Sequence, residues 1–217
     1  MNGDILSDNL NTAWVDNRLN LLSQNLGALV PGKWELFDPT PKFYVALESG
    51  DDNDLEVGTS ELCKHIGLYP CPSVSYEWGL KLPIGAAGIF SRQSTSAHIN
   101  IPLFYAGRPA ALGAILAHEL THAYLFQHPF SEAMGDECEP LTDLTAIYLG
   151  LGKAVLNGIH VITRQGSGEG HALGYLGADL TAYSFKKVLD ICHIDYKITH
   201  KNLNESAIRI LNNSPSS

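Results

Sequence analysis

The sequence predicts one α+β domain in which a small, twisted, mainly antiparallel sheet packs on helices. Two observations favour this fold class. Short strand-like segments fall in the first half of the chain, and long helical patterns follow them. The size of the chain bears on the number of domains. With 217 residues, 45% of them hydrophobic, the chain can bury a core, so we expect a single domain over residues 1–217.

The N-terminal region, residues 1–31, is predicted to contribute an amphipathic helix that packs on this domain. Apolar residues recur at helical spacing from Leu10 to Leu29. Pro31 and Gly32 then end the pattern, as is typical after a helix.

The next segments predict a strand, a turn and a helix. Residues 42–47 are rich in aromatic and β-branched side chains, which favours a strand. The acidic run at residues 51–54 is typical of a solvated turn, and residues 55–66 have a helical pattern that Gly67 ends.

Three short strands and then several helices are predicted in the rest of the chain. The strands are expected at residues 74–78, 88–91 and 97–101. Pro109 suits the first turn of a helix over residues 110–127, and Pro129 ends it. Beyond it we expect helices at residues 139–151 and 180–191, a short strand at 159–163 and a frayed tail at 212–217.

The most informative motif is His118-Glu119-Leu120-Thr121-His122, which falls in the middle of the predicted helix 110–127. Residues four apart project from one face of a helix, so His118 and His122 can bind the same ion. Glu119 is offset around the helix, where its carboxylate can accept a proton instead of binding metal. The motif therefore indicates half of a zinc site with an adjacent base.

A third ligand is expected from a separate element after His122. Glu139 is the best candidate, because Asp143 lies four residues later on the same side of the next predicted helix. The aspartate can then orient a histidine ligand through its free ring nitrogen. Other side chains at feasible distances are Asp136, Glu137, His128 and His171.

At these residues the chain resembles a gluzincin, the thermolysin-like type of zinc metallopeptidase, with its minimal zincin core. The resemblance implies Glu119 as general base and Asp143 as the orienting group. It implies one zinc ion per chain, bound by His118, His122 and Glu139. The chain departs from the pattern in two respects: Cys138 replaces the asparagine that usually precedes the third ligand, and the chain is much shorter than those enzymes.

The resemblance also implies a substrate-binding edge and an oxyanion donor. The strand at residues 97–101 would form the edge of the cleft, where His98, Ile99 and Asn100 contact an extended peptide; an ordinary sheet strand is the alternative. Tyr175 or His171, in a glycine-rich segment, would stabilise the oxyanion, although both also suit surface or packing roles.

Composition bears on partners and compartment. The net charge of −9 without a basic patch argues against nucleic acid, and no stretch is long enough to span a bilayer, so we expect no membrane partner. The four cysteines form no C-x-x-C pair, which disfavours a structural zinc ribbon. Four reduced thiols are expected, with a Cys63–Cys71 bridge as the alternative if the loop between them has the required geometry. Without a leader-like N-terminus, the cytoplasm is the expected compartment; export without a cleaved leader is compatible with the same observations.

The expected function is zinc-dependent hydrolysis of a peptide or protein substrate, with Glu119 assisting the attack of zinc-bound water on the peptide bond. Two alternatives belong to other classes. One is a non-catalytic zinc-binding regulatory or interaction domain that retains a zincin core. The other is an interaction protein that uses its N-terminal helix for docking. The sequence leaves oligomeric state and side-chain specificity open.

Overall fold

The structure, a computed structural model, combines helices with a small sheet and is α+β, as predicted. It describes residues 10–80, 87–93, 96–131, 138–159, 162–163, 170–171 and 173–214. Of residues 92, 93, 96, 162, 163, 170 and 171, only the backbone is described.

The order of the elements differs from the predicted one at residues 42–47 and in the C-terminal region. The helices are α1 (Thr12–Leu26), α2 (Pro41–Glu48), α3 (Asp52–Ile66), α4 (Pro109–Gln127), α5 (Cys138–Ala146), α6 (Gly152–Gly158), α7 (Gly177–Ile191) and α8 (Glu205–Asn213). The strands are β1 (Ser73–Glu77), β2 (Ile89–Gln93), β3 (Ser96–Pro102), β4 (Ile162–Thr163) and β5 (Gly170–His171). A π-helical turn, Ile147–Leu151, joins α5 to α6.

The predicted strand at residues 42–47 is wrong, because these residues form α2. Its start is set by Thr40, whose hydroxyl accepts a hydrogen bond from the backbone N–H of Phe43, and by Pro41 in the first turn. These start signals outweigh the strand preference of the aromatic and β-branched side chains. Phe43 and Leu47 then lie on one side of the helix and are fully buried.

The three-stranded sheet has the order β1-β3-β2 and is mixed rather than mainly antiparallel. β3 pairs with β1 in parallel and with β2 antiparallel. Because the chain passes through β2 after β1, it can enter β3 in the same direction as β1. Ile99 and Ile101 alternate along β3 and are fully buried, so one face of the sheet lies on the core.

Two hydrophobic clusters form the core, and α4 is at the centre of the first. That cluster packs α4 against α2, α3 and the sheet. The second cluster packs α1 against α5 and α7, with α1 burying Trp14, Val15, Leu19 and Leu22. The apolar side of α1 is therefore covered by its own chain.

The C-terminal region forms a helix that the sequence analysis missed. Asn204 caps α8 through its side chain, and Ala207 and Leu211 are fully buried. The predicted fraying from residue 212 is wrong as far as residue 214: Ser214 is buried and its carbonyl accepts a hydrogen bond of 3.0 Å from Lys186 Nζ. Residues 215–217 lie outside the described residues.

Cys63 and Cys71 are joined by a disulfide, so the expectation of four reduced thiols is wrong for this pair. Gly67 ends α3 in a left-handed conformation, and the chain turns back until the two α-carbons are 5.9 Å apart. Cys138 and Cys192 are free. The cysteines therefore no longer favour a reducing compartment.

None of the described helices combines the length with the apolar composition needed to cross a membrane.

Candidate metal centre

Helix α4 carries the two histidines and the glutamate of the pentad, as predicted. It begins at Pro109 and is buried along most of its surface, so its orientation is fixed by the core. The rings of His118 and His122 lie on the same side, with centroids 4.7 Å apart. The helix thus presents two imidazoles toward one point.

Helix α5 brings the third group to the same point. Glu139 Oε2 lies 3.0 Å from His118 Nε2 and 3.2 Å from His122 Nε2, and the two nitrogens are 3.0 Å apart. Ligand atoms of a tetrahedral zinc ion, with bonds of about 2.0–2.1 Å, are separated by about 3.3 Å. His118, His122 and Glu139 therefore form a candidate metal-binding triad with spacings near those that such an ion requires.

Each histidine is oriented through its other ring nitrogen by a residue of α5. Asp143 Oδ1 lies 2.8 Å from His118 Nδ1, as predicted. Thr142 Oγ1 lies 3.4 Å from His122 Nδ1 and donates a hydrogen bond of 2.7 Å to the carbonyl of Cys138. With Nδ1 of each ring bound in this way, both Nε2 atoms point toward Glu139 Oε2. Sequence analysis missed Thr142, although its position three residues after Glu139 places it on the same side of the helix.

The charges of the triad stabilise one another. Burial opposes a proton on His118, but hydrogen bonds to Asp143 and Glu139 prevail and raise its pKa to about 10. Burial would raise the pKa of Glu139, yet hydrogen bonds from His118 and His122 hold it well below its usual range. Glu139 is thus an anion, which suits a cation ligand.

Glu119 lies apart from the triad in the same cavity. Only 5% of its surface is exposed, and this burial raises the pKa of its carboxyl group. His118, His122 and the backbone N–H of Phe90 act in the opposite direction by favouring the carboxylate. A buried carboxylate with a raised pKa and no ligand role is suited to proton transfer.

The cavity beside the triad has a volume of about 250 Å³. It lies between the start of β2, the helices α4 and α6, and residues 173–175. Away from the triad its wall is largely apolar, including Ala114, Ile115, Val155 and Leu173. The cavity is therefore a pocket in which a substrate group can lie next to the triad.

Tyr175, one of the two predicted oxyanion donors, lies at the triad. Its ring stacks on that of His118, with centroids 5.6 Å apart and planes inclined by 28°. Burial and the neighbouring carboxylates, among them Glu139, raise the pKa of its hydroxyl, so the phenol remains a hydrogen-bond donor. The backbone of His171 belongs to β5, but its side chain lies outside the described residues.

The alternative ligands do not replace Glu139 within the described part of the chain. His128 Nδ1–H donates a hydrogen bond of 3.0 Å to the carbonyl of Tyr124, and its ring stacks on that of the same residue. It is thus a helix-end histidine outside the triad. Asp136 and Glu137 lie outside the described residues.

The predicted substrate-binding edge at residues 97–101 is wrong, because β3 is the central strand and is paired on both sides. Ile99 is fully buried, and His98 is held between the hydroxyls of Ser73 and Ser75, at 2.7 and 3.1 Å. His98, Ile99 and Asn100 therefore do not line the cavity.

Strand β2 is the neighbour of the site instead. Gly88, Ile89 and Phe90 line the cavity, and Phe90 directs its backbone N–H toward Glu119. Strand order depends on pairing between distant segments, which the sequence alternation does not reveal.

Comparisons of the chain with protein-family models, with curated proteins and with solved structures find no match.

Proposed function

We propose that this protein is a zinc-dependent hydrolase, and specifically a metallopeptidase. The observation that carries the proposal is the convergence of His118 Nε2, His122 Nε2 and Glu139 Oε2 beside Glu119 in one cavity. Two imidazoles and one carboxylate are a ligand set typical of catalytic zinc, which retains an open position for water.

The metal-binding triad and Glu119 would have separate roles in the reaction. A zinc ion held by the triad would polarise the substrate carbonyl and lower the pKa of a water molecule toward about 7. Glu119 accepts a proton from the attacking water molecule as the water oxygen bonds to the carbonyl carbon. When the C–N bond breaks, Glu119 returns that proton to the leaving amine.

Tyr175, whose ring stacks on that of His118, would support the same step. Its hydroxyl keeps its proton because burial and nearby carboxylates raise its pKa. A protonated phenol can donate a hydrogen bond to the negative charge that develops on the carbonyl oxygen. We therefore assign Tyr175 as the oxyanion donor of this proposal.

Metal analysis and cleavage of a peptide library test the proposal together. Protein purified without chelator is expected to contain one zinc ion per chain. Glu119→Gln keeps the size of the side chain and removes the base, so it should retain zinc and lose at least about 10²-fold in turnover. Glu56→Gln, an exposed glutamate of α3, is the matched control and should cleave as the wild type does.

Two results would contradict the proposal. Equal turnover by Glu119→Gln and the wild type would remove Glu119 from the mechanism. Stoichiometric zinc in a wild type that cleaves no library peptide would favour the non-catalytic zinc-binding domain instead.

A further inference from the structure

We infer that Asp143 positions two parts of the site with one carboxylate: the ligand His118 and the Tyr175 segment, defined as Gly174, Tyr175 and Leu176. Zinc binding and the ordering of this segment would then stabilise each other. The inference rests on the proposed zinc site, but its test does not depend on peptidase activity.

The two oxygens of Asp143 have different partners. Oδ1 lies 2.8 Å from Nδ1 of His118, the imidazole nitrogen that faces away from the triad. Oδ2 accepts hydrogen bonds from the backbone N–H of Tyr175 and, at 3.2 Å, from that of Leu176. Only 3% of Asp143 is exposed, so water does not compete for these bonds. The carboxylate therefore connects α4 to the segment that follows β5.

The conformation of the segment is adapted to this contact. Gly174 has φ +92°, a backbone conformation that favours glycine, and a Cβ there would lie 3.2 Å from Asp143 Oδ2. The chain can thus approach the carboxylate closely enough for both backbone N–H groups to reach it. The ring of Tyr175 returns to stack on His118, which gives a second contact between segment and ligand.

This arrangement makes the ligand and the segment interdependent. A zinc ion bound at His118 Nε2 would fix the ring and, through Nδ1, the position of Asp143. A fixed Asp143 carboxylate would in turn hold the backbone of the Tyr175 segment beside the triad. By thermodynamic reciprocity, complete disorder of the segment would lower zinc affinity by the same factor by which zinc favours the ordered segment, and partial loosening would lower it by less.

Amide hydrogen exchange at Tyr175 and Leu176 tests the link from Asp143 to the segment. Asp143→Asn is neutral, so whichever way its amide group turns, the backbone N–H groups of Tyr175 and Leu176 lose their charged acceptor. We expect these amides to exchange about tenfold faster or more in Asp143→Asn, even in metal-free protein. Thr142→Val, the matched control, weakens the orientation of His122 and leaves the Asp143 contacts intact, so its amides should exchange as in the wild type.

Zinc affinity tests the link in the other direction. Gly174→Ala touches no ligand atom but strains the segment, and we expect its zinc affinity to fall about fivefold or more. Tyr175→Phe keeps the backbone and the ring, so its zinc affinity should match that of the wild type. Zinc should also slow exchange of the Tyr175 and Leu176 amides in the wild type and in Thr142→Val, and not in Asp143→Asn.

The outcomes separate the inference from the proposed function. Unchanged amide exchange in metal-free Asp143→Asn, or wild-type zinc affinity in Gly174→Ala, overturns the inference. If Gly174→Ala does not fold, as circular dichroism would show, the exchange data on Asp143→Asn decide. A wild type that binds zinc but cleaves nothing overturns only the proposed function, whereas one that binds no zinc overturns both.

Discussion

Gly88 lies so close to Glu119 that a Cβ on this glycine would be 2.8 Å from the carboxylate Oε1 and 3.0 Å from Cγ. The backbone just before β2 thus lies against the Glu119 carboxylate and leaves no space for a side chain at residue 88. This contact limits where the carboxylate can lie, together with the backbone N–H of Phe90.

Gly88→Ala should therefore impair catalysis without removing the metal. The added methyl group must displace the Glu119 carboxylate, and small misplacements of a reacting group can cost about 10²-fold in rate. Zinc content should stay that of the wild type, because Gly88 does not contact the triad. Kinetics with a cleaved library peptide and metal analysis check both parts. Full turnover in this variant would show that the exact position of Glu119 is not needed.

The pH dependence of zinc binding should follow His118. Its pKa of about 10 means that the metal-free protein holds a proton on this ring at neutral pH. Zinc must displace that proton, so affinity should rise about tenfold for each pH unit between pH 6.5 and about 10. Calorimetry in buffers of different ionisation enthalpy should detect about one proton released at pH 7. His128→Gln, outside the triad, should show the same dependence.

The stability of the metal-free protein should fall over the pH range in which zinc affinity rises. The folded-state pKa of His118 is raised above its unfolded value, so its contribution is fully present below about pH 6.5 and is lost as the pH rises toward about 10. Urea unfolding with chelator should show a falling midpoint over this range. Excess zinc should reverse the fall, and a chelated protein that gains stability with pH there would contradict the assignment.

Loss of the Cys63–Cys71 disulfide should lower stability moderately. The bridge joins two cysteines with a sequence separation of 8. Closing so short a loop lowers the entropy of the unfolded chain, which corresponds to about 2.5 kcal/mol of stability. Urea unfolding of metal-free protein with and without a phosphine reductant measures the difference. A double Cys63→Ala, Cys71→Ala variant is the control, since the reductant should not change its midpoint. No effect of reductant on the wild type would contradict the bridge.

Gly158→Ala should destabilise the protein by about 1–3 kcal/mol through overpacking. A Cβ on Gly158 of α6 would lie 2.2 Å from Cβ of Ala114, so α6 would have to move away from the helix that carries the histidines. Gly113→Ala in α4 is a milder comparison, because its Cβ would lie 3.3 Å from the ring of Phe43. Equal unfolding midpoints for the two variants would show that the contact between α4 and α6 is not tight.

The sequence predicted the parts of the site that depend on local spacing. A one-turn separation fixes the relation of His118 to His122, and a helix start near Glu139 fixes its relation to Asp143. The structure confirms that the three candidate ligands lie together. Thr142 follows the same helical spacing but was missed, because a threonine hydroxyl in a helix commonly bonds to a carbonyl four residues earlier, as Thr142 also does.

The errors concern contacts between distant segments or competing local signals. The central position of β3 depends on pairing with both β1 and β2, and alternation along one strand does not specify its neighbours. The close contact of Gly88 with Glu119 has no sequence signal for the same reason. The helix at residues 41–48 shows that Thr40 and Pro41 outweigh strand preference, while the disulfide depends on the turn after α3.

The proposed coordination is built from two helices alone. α4 gives the imidazoles, and within little more than one turn α5 gives the carboxylate of Glu139 and the groups that orient each ring. Such a helix pair is a portable module, because the positions of its three ligand atoms depend on interhelical register, and the Tyr175 segment adds to metal affinity from outside the pair. A lineage could then remodel the walls of the cleft, and with them the molecules it accepts, while the ion stays in place.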